Sequence, residues 1–133
     1  MNSDLEELFA RSLDAAFDGQ NIPYERDYRF AAHHVGLGPN LRRRLEDVDL
    51  KNWHFDFAFL SQRVACEIDG GIYIGGRHLQ PRGYINDCAK RNAAEILGWR
   101  VLVFPGPILE DDPTKCIRQL ATLLNINPDT LTN

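Results

Sequence analysis

The 133 residues of the chain, 44% apolar and 26% charged, suit one folded domain with its own core and exclude a wholly disordered protein. No uncharged apolar run is long enough to cross a membrane, and the acidic N-terminus does not resemble a secretion signal. Three cysteines without CxxC spacing predict neither a disulfide framework nor a cysteine zinc site, and they favour a cytoplasmic location.

The formal net charge of -4 does not by itself indicate a nucleic-acid binder, but the charges are unevenly distributed. Residues 42–100 carry ten Lys or Arg and eight Asp or Glu, whereas the segments before and after them are both negative. If several of those eight acids gather in one site, the surrounding surface is more basic than the total suggests. The charge pattern therefore permits a nucleic-acid partner.

The periodicity of the apolar residues predicts a single domain over residues 1–133, built from helices and strands. The predicted order is α-β-β-β-α-β-α, at residues 3–17, 24–32, 53–60, 63–69, 84–97, 99–104 and 112–124. Residues 33–52, rich in Gly, Pro, Arg and Asp, are predicted to form a loop or insertion. Gly98 is expected to end the long helix, and the tail after Asn127 is expected to fray. This order indicates the α/β (α+β) class with an extra C-terminal helix.

The clearest strand alternates strictly between aromatic and other side chains. Its aromatic face is interpreted as core and consists of Trp53, Phe55, Phe57 and Phe59. Only Ser61 and Gln62 separate this strand from the next one, so the two strands are predicted to form an antiparallel hairpin.

The register of that hairpin places two acids opposite each other, on the face that does not carry the aromatic residues. Asp56 is predicted to face Glu67, and His54 to face Asp69. Two carboxylates about 5 Å apart repel each other by roughly 3 kcal/mol at an effective dielectric near 20. The hairpin therefore needs something that neutralises the pair.

A divalent cation is the favoured interpretation, because Ala58, Leu60 and Ala65 share this face and predict that it is partly covered. The alternative is that the acids face solvent or are satisfied by an arginine. Asp56, Glu67 and the backbone carbonyl of Ile68 are hard oxygen donors, which suit Mg²⁺ or Mn²⁺ better than zinc.

The segments FDF, CEIDGG, GRH and DCAKRNAAEILGWRVLVF resemble the very-short-patch-repair branch of the PD-(D/E)XK nuclease superfamily. Within that branch the chain is similar to small bacterial and phage endonuclease-like proteins with an EhDG…H signature. The resemblance covers about residues 3–104. It implies a restriction-endonuclease-like α-β-β-β-α-β core with a mixed sheet, and an Mg²⁺- or Mn²⁺-dependent endodeoxyribonuclease in a bacterial cell or phage-infected host.

The resemblance also implies roles for individual residues. Asp56 corresponds to the acid of the PD motif and Glu67 to the acid of the next strand, and Asp69 stands where the superfamily usually has its catalytic lysine. Helical phase makes Lys90 the candidate replacement, although it could equally be a side chain that snorkels at the edge of a buried stripe. His78 follows the glycine-rich loop and is the other candidate for proton transfer or phosphate binding.

The superfamily often adds a glutamate of the first helix to the metal site, and Glu6 is the better placed candidate. Glu6 could instead serve only in a capping box with Ser3. Contacts with the DNA backbone are expected from five arginines, which could alternatively be merely solvated: Arg42, Arg43, Arg44, Arg77 and Arg82.

Three functions are compatible with these residues. The first is a metal-dependent endonuclease that cuts DNA, with mismatched, branched or phage DNA as candidate substrates. The second is an inactive relative that binds DNA, favoured by the missing lysine after Glu67. The third is a metal-binding protein unrelated to nucleic acid, favoured only by the net negative charge. The sequence is compatible with both a monomer and a homodimer.

Overall fold

A computed structural model of the chain describes residues 3–70 and 81–132. Its helices, strands and final 3-10 turn follow in the order α1 Ser3–Ala16, β1 Glu25–Tyr28, α2 Phe30–Val35, α3 Leu41–Asp47, β2 Phe55–Phe59, β3 Val64–Asp69, α4 Pro81–Ile96, β4 Arg100–Pro105, α5 Gly106–Asp111, α6 Pro113–Leu123 and Pro128–Thr130. The predicted class is confirmed, since helices flank a mixed sheet.

The sheet has the strand order β1-β2-β3-β4. Strand β2 is antiparallel to both of its neighbours, whereas β3 and β4 are parallel and α4 connects them. Between β2 and β3, Phe57 pairs with Cys66 and Phe59 pairs with Val64, which confirms the register predicted for the hairpin. This register makes Asp56 and Glu67 neighbours.

Two apolar clusters lie on opposite faces of the sheet. The first, covered by α1, α5 and α6, includes Phe9, Leu13, Phe57, Phe59, Leu109, Ile117 and Leu120. The second, covered by α2, α3 and α4, includes Phe30, Leu45, Phe55, Ala58, Ala65, Ala93, Ala94 and Trp99. Strand alternation explains the division, because Ala58 and Ala65 face away from the side chains that precede and follow them.

The prediction that all four aromatic residues of this strand share one face is wrong: Phe57 and Phe59 lie in the first cluster, Trp53 packs against the second, and so does Phe55. Its ring stacks on Phe30 at 4.1 Å and contacts Trp99 at 5.1 Å, within the second cluster. Phe57 instead contacts Phe9 at 4.9 Å in the first cluster. The alternation breaks at Asp56, where side-chain hydrogen bonds link the strands.

The long helix and its predicted end are confirmed. Gly98 follows α4 with a φ of +86°, a left-handed conformation that glycine adopts without strain. The N–H of Trp99 then donates to the carbonyl of Ala94 at 2.9 Å, which satisfies an acceptor of the last turn. This glycine turns the chain directly from α4 into β4.

The prediction for residues 24–52 is only partly correct. Strand β1 ends at Tyr28, and the residues assigned to the rest of that strand begin α2 instead. The segment predicted as a loop contains α3, whose Leu45 is buried in the second cluster. Both helices are very short, so their few apolar residues gave no helical period, and tertiary packing stabilises them.

The C-terminal prediction also needs correction. Helix α6 is confirmed, but Pro107 lies in the first turn of α5 and does not simply stop the strand. The tail is not frayed as far as it is described. Leu131 packs against the first cluster, and the N–H of Thr132 donates to the carbonyl of Ala16 at 2.9 Å.

None of the helices in residues 3–70 and 81–132 combines the length and the apolar character that a membrane span requires.

Candidate active site at the β2–β3 carboxylates

Asp56 and Glu67 are joined by hydrogen bonds between side chain and main chain. The N–H of Ile68 donates to Asp56 Oδ2 at 2.7 Å, and the N–H of Asp56 donates to Glu67 Oε2 at 3.2 Å. Each acid therefore accepts a main-chain N–H from the opposite strand. These bonds hold both carboxylates next to Phe55, where the strand alternation is broken.

Helix α4 contributes a positive charge to this pair. The ammonium of Lys90 donates to Glu67 Oε1 and forms an ion pair with it. The two side chains are only 22% and 20% exposed, so the pair is largely removed from water. Lys90 Nζ also lies 5.9 Å from the centroid of the Phe55 ring, whose face favours a cation. Lys90 thus reaches the acid pair from α4, and its role as the replacement for the missing strand lysine stays a prediction.

Burial dominates the electrostatics of both acids. It raises the pKa of Asp56, although the Ile68 N–H and the nearby Lys90 charge act in the opposite direction. It also raises the pKa of Glu67, which Lys90 lowers in part and Asp56 raises further. Burial therefore favours the protonated form of both acids, and the Lys90 charge opposes it only in part.

Glu6 lies on α1 at the edge of this acidic cluster. Burial is the main cause that raises its pKa, and the charge of Asp56 is the second, so the two carboxylates interact. Glu6 Oε1 lies 4.0 Å from Arg26 Nη2 and its side chain is 27% exposed. Glu7, the next residue of α1, is 54% exposed, and its Oε2 lies 2.7 Å from Arg26 Nη1. The capping box with Ser3, the alternative role of Glu6, stays a prediction, because the Ser3 side chain is not among the described ones.

His54 does not form the pair predicted for it. Its Nδ1 lies 2.7 Å from Asp27 Oδ1 on β1, whereas Asp69 was the expected partner on β3. Asp27 has a φ of +53°, a left-handed conformation that aspartate tolerates. Asp69 lies at the end of β3, where it pairs with Pro105 of β4.

The donors fit a hard divalent cation in chemical type. Asp56 and Glu67 offer carboxylate oxygens with raised pKa values, and the carbonyl of Ile68 belongs to the next residue of β3. No group of three or more His, Cys, Asp or Glu side chains is arranged to hold a metal within residues 3–70 and 81–132. A bound cation would thus combine these two carboxylates with the main-chain carbonyl and water.

The predicted DNA-binding arginines have different surroundings. Arg44 donates to the carbonyls of Val35, Gly36 and Pro39 at 2.7 to 3.1 Å, so it ties α3 to the end of α2. The remaining described members of the set are exposed, and Arg42 forms an i,i+4 ion pair with Glu46. These exposed members are Arg42, Arg43 and Arg82. Arg77 and His78 fall outside the described residues.

Two residues of this neighbourhood, Arg26 and Asn86, were not predicted from the sequence. Arg26 bridges the first-helix glutamates and lies 5.1 Å from the centroid of the Phe57 ring. Asn86 accepts hydrogen bonds from Lys51 at 3.4 Å and from Trp53 at 3.3 Å. Asn86 precedes Lys90 by one helical turn, a spacing that could have suggested a shared face.

Comparisons with known proteins give one partial match. No protein-family model matches the chain, and no solved structure does. Over 71 residues the chain is 34% identical to the S-adenosylmethionine:tRNA ribosyltransferase-isomerase of Borreliella afzelii (strain PKo). The matched stretch is 53% of this chain and 19% of that relative, so the chain spans about a fifth of the relative's length.

Proposed function

We propose that the chain is a metal-dependent endonuclease that hydrolyses phosphodiester bonds of DNA. The proposal rests on one observation: Asp56 of β2, Glu67 of β3 and Lys90 of α4 form one connected, half-buried cluster of charged side chains. A lysine that reaches the acids from α4 supports the assignment of a nuclease site in which Asp69 occupies the usual lysine position.

Each residue has a role that follows from its surroundings. Asp56 and Glu67 hold Mg²⁺ or Mn²⁺, with Glu6 and the Ile68 carbonyl as further donors. The cation supplies Lewis acidity, which lowers the pKa of a bound water and offsets charge on the phosphate. Lys90 holds its ammonium beside Glu67, where it orients a water for attack and stabilises negative charge on the phosphate. Arg43 contacts the DNA backbone.

The alternative is a module of the same fold that binds DNA without cutting it. The Lys90–Glu67 ion pair favours this alternative, since an ammonium engaged by a carboxylate is less available to a water. The name of the Borreliella relative adds RNA to the substrates that need testing. The cleavage experiment below separates these outcomes.

The decisive experiment is a cleavage assay with Mg²⁺, Mn²⁺ or a chelator. The substrates are supercoiled plasmid, a mismatched duplex, a four-way junction and a tRNA transcript. We expect metal-dependent cleavage of DNA by the wild type and loss of cleavage in Asp56→Asn and Glu67→Gln, because an amide is a poorer ligand than a carboxylate.

Glu95→Gln is the matched control, since Glu95 is an exposed carboxylate on α4, and it should cut like the wild type. Cleavage at the wild-type rate by Asp56→Asn or Glu67→Gln would show that the site is misassigned. DNA binding without cleavage under every metal would support the binding module, and cleavage of tRNA alone would make the substrate RNA.

A further inference from the structure

Helix α4 carries an exposed apolar stripe. Ile85 is 64% exposed and Ile96 is 82% exposed, the highest value among the large exposed apolar side chains of the described residues. They are eleven positions apart, about three helical turns, so both point in nearly the same direction. Ala89 and Asn92 lie between them on that stripe, at helical spacing.

A groove of about 850 Å³ runs beside this stripe. One wall is α4 from Ala89 onward together with Leu97, and the other is formed by His34, Glu46 and the segment that joins α3 to β2. Val48 on the second wall is 56% exposed, and Leu50 and Trp53 line the groove with it. Stripe and groove together form a continuous surface that is apolar in its middle.

The rim of this surface has opposite charges at different places. Glu46 and Asp49 belong to the wall opposite α4, and both are exposed. Arg82 lies in the first turn of α4 and is exposed. At 100° per residue it projects toward the same flank of the stripe as Asn86, which contacts this wall through Lys51 and Trp53.

We propose that this surface is a two-fold interface between two copies of the chain, with their α4 helices antiparallel. Ile85 then lies opposite Ile96 of the partner subunit, and Ala89 lies opposite Asn92 of the partner subunit. The two-fold axis brings the two most exposed isoleucines of the stripe together twice, once on each side of it, as an isologous interface requires. Ala89 is small enough to let the two helices approach closely where they cross.

The charges on the rim fit the same arrangement. A two-fold axis perpendicular to antiparallel helices keeps the groove-side flanks of both copies on one side. Arg82 of each copy, at the start of its helix, is thereby brought to the far end of the other copy's groove. Asp49 of that wall then offers opposite charge, whereas Glu46 already pairs with Arg42. The interface goes beyond the proposed function and does not depend on it.

The first test is sedimentation equilibrium of the purified full chain. The wild type is expected to dimerise. Ile96→Glu is expected to weaken dimerisation at least about 100-fold, since each dimer would bury two unpaired charges. Ile108→Glu is the matched control, because Ile108 is 50% exposed on α5, and this variant should dimerise like the wild type. A monomeric wild type, or equal effects of both variants, would overturn the proposal.

The second test measures the register by disulfide crosslinking in a Cys88→Ser background. A mixture of the Ile85→Cys and Ile96→Cys proteins should form an intermolecular disulfide, because these positions face each other. Either protein alone should not, since its two copies of the same position are about 16 Å apart along the helices, beyond disulfide reach. Crosslinking of each protein with itself, or no crosslink in the mixture, would refute the antiparallel register.

Discussion

The Glu67 carboxylate pairs with the ammonium of Lys90 and accepts a hydrogen bond from the main-chain N–H of Asp56, and its side chain is only 20% exposed. Its neighbour Asp56 accepts an N–H from the strand that carries Glu67. The two acids are thus stabilised by main-chain donors and one cation, yet burial still raises both of their pKa values. At the scale of single residues, burial and these donors thus act in opposite directions on the two carboxyl groups, and burial has the larger effect.

This electrostatic state predicts how stability depends on pH. Because burial raises the pKa of Asp56 above its ordinary 3.8, the folded protein binds that proton more tightly than the unfolded chain does. The free energy of unfolding contributed by this group therefore falls as pH rises from about 3.8 through the raised pKa. Asp56→Asn keeps an oxygen for the Ile68 N–H and removes this dependence.

We expect the stability of Asp56→Asn relative to the wild type to increase over that pH window and then become constant. Urea unfolding of both proteins in buffers from about pH 4 to about pH 8 measures this difference in stability. A difference that stays constant across the window, or one that falls with pH, would contradict the raised pKa of Asp56.

Lys90 gives a prediction for both catalysis and titration. If the proposed function is correct, Lys90→Ala should slow cleavage by about 10²–10⁴-fold, the usual range for a lost proton-transfer or positioning group. The pKa of Glu67 should rise further, because the ammonium that lowers it is gone. Cleavage rates and carboxyl NMR titration measure the two effects.

Arg91→Ala is the control for Lys90→Ala, since Arg91 is the exposed neighbour on the same helix. Lys90→Arg should restore little activity, because a planar guanidinium does not replace a compact ammonium beside a water. Normal cleavage by Lys90→Ala would leave His78 as the remaining candidate for proton transfer.

At the scale of secondary-structure elements, the direction of α4 decides whether Lys90 reaches Glu67. The helix ends at Gly98, whose φ is +86°, and the chain enters β4 two residues later. Ala93 and Ala94 pack in the second cluster and hold the inner face of α4 near the sheet. The glycine turn therefore sets the register of the helix against β3.

Two glycines of this segment provide a matched pair of substitutions. Gly98→Ala should lower the free energy of unfolding by about 1–2 kcal/mol, because alanine is strained in the left-handed region. Gly83→Ala should raise it by about 0.5–1 kcal/mol, since this position is helical and an added Cβ meets nothing within 4 Å. Urea unfolding curves test both, and effects of the same sign would contradict this account.

At the scale of the whole molecule, the site receives side chains from helices that cover opposite faces of the sheet. Glu6 approaches from α1, which covers the first cluster, while Lys90 approaches from α4, which covers the second. Asp56 interacts with both of these side chains. Folding of the complete sheet and both helical layers is therefore required before the acids meet their partners.

Metal binding should consequently stabilise the folded protein as a whole. We expect Mg²⁺ or Mn²⁺ to raise the Tm of the wild type, by an amount equivalent to about 2.7 kcal/mol at a 100-fold excess over Kd. Asp56→Asn should show a much smaller shift, whereas Glu95→Gln should respond like the wild type. Equal shifts in all three proteins would indicate binding elsewhere.

Several features could be predicted because they depend on neighbouring residues in sequence. The short spacing between β2 and β3 determined the hairpin register, and hence the proximity of Asp56 to Glu67. The helical period of α4 and the glycine behind it determined where the helix ends and the inward phase of Lys90, although the helix begins at Pro81, three residues before its predicted start. Local periodicity and turn chemistry act over a few residues, so the sequence expresses them directly.

Other features were decided by packing between distant elements. Phe55 leaves the face of Phe57 because the rings of Phe30 and Trp99 accommodate it in the second cluster. His54 pairs with Asp27 because β1 lies beside β2, and Arg44 serves the end of α2. No local period encodes such contacts, since each depends on which side chains meet across the folded sheet. The sequence by itself determined the two acids and the candidate lysine, and tertiary structure alone decided that Lys90 contacts Glu67.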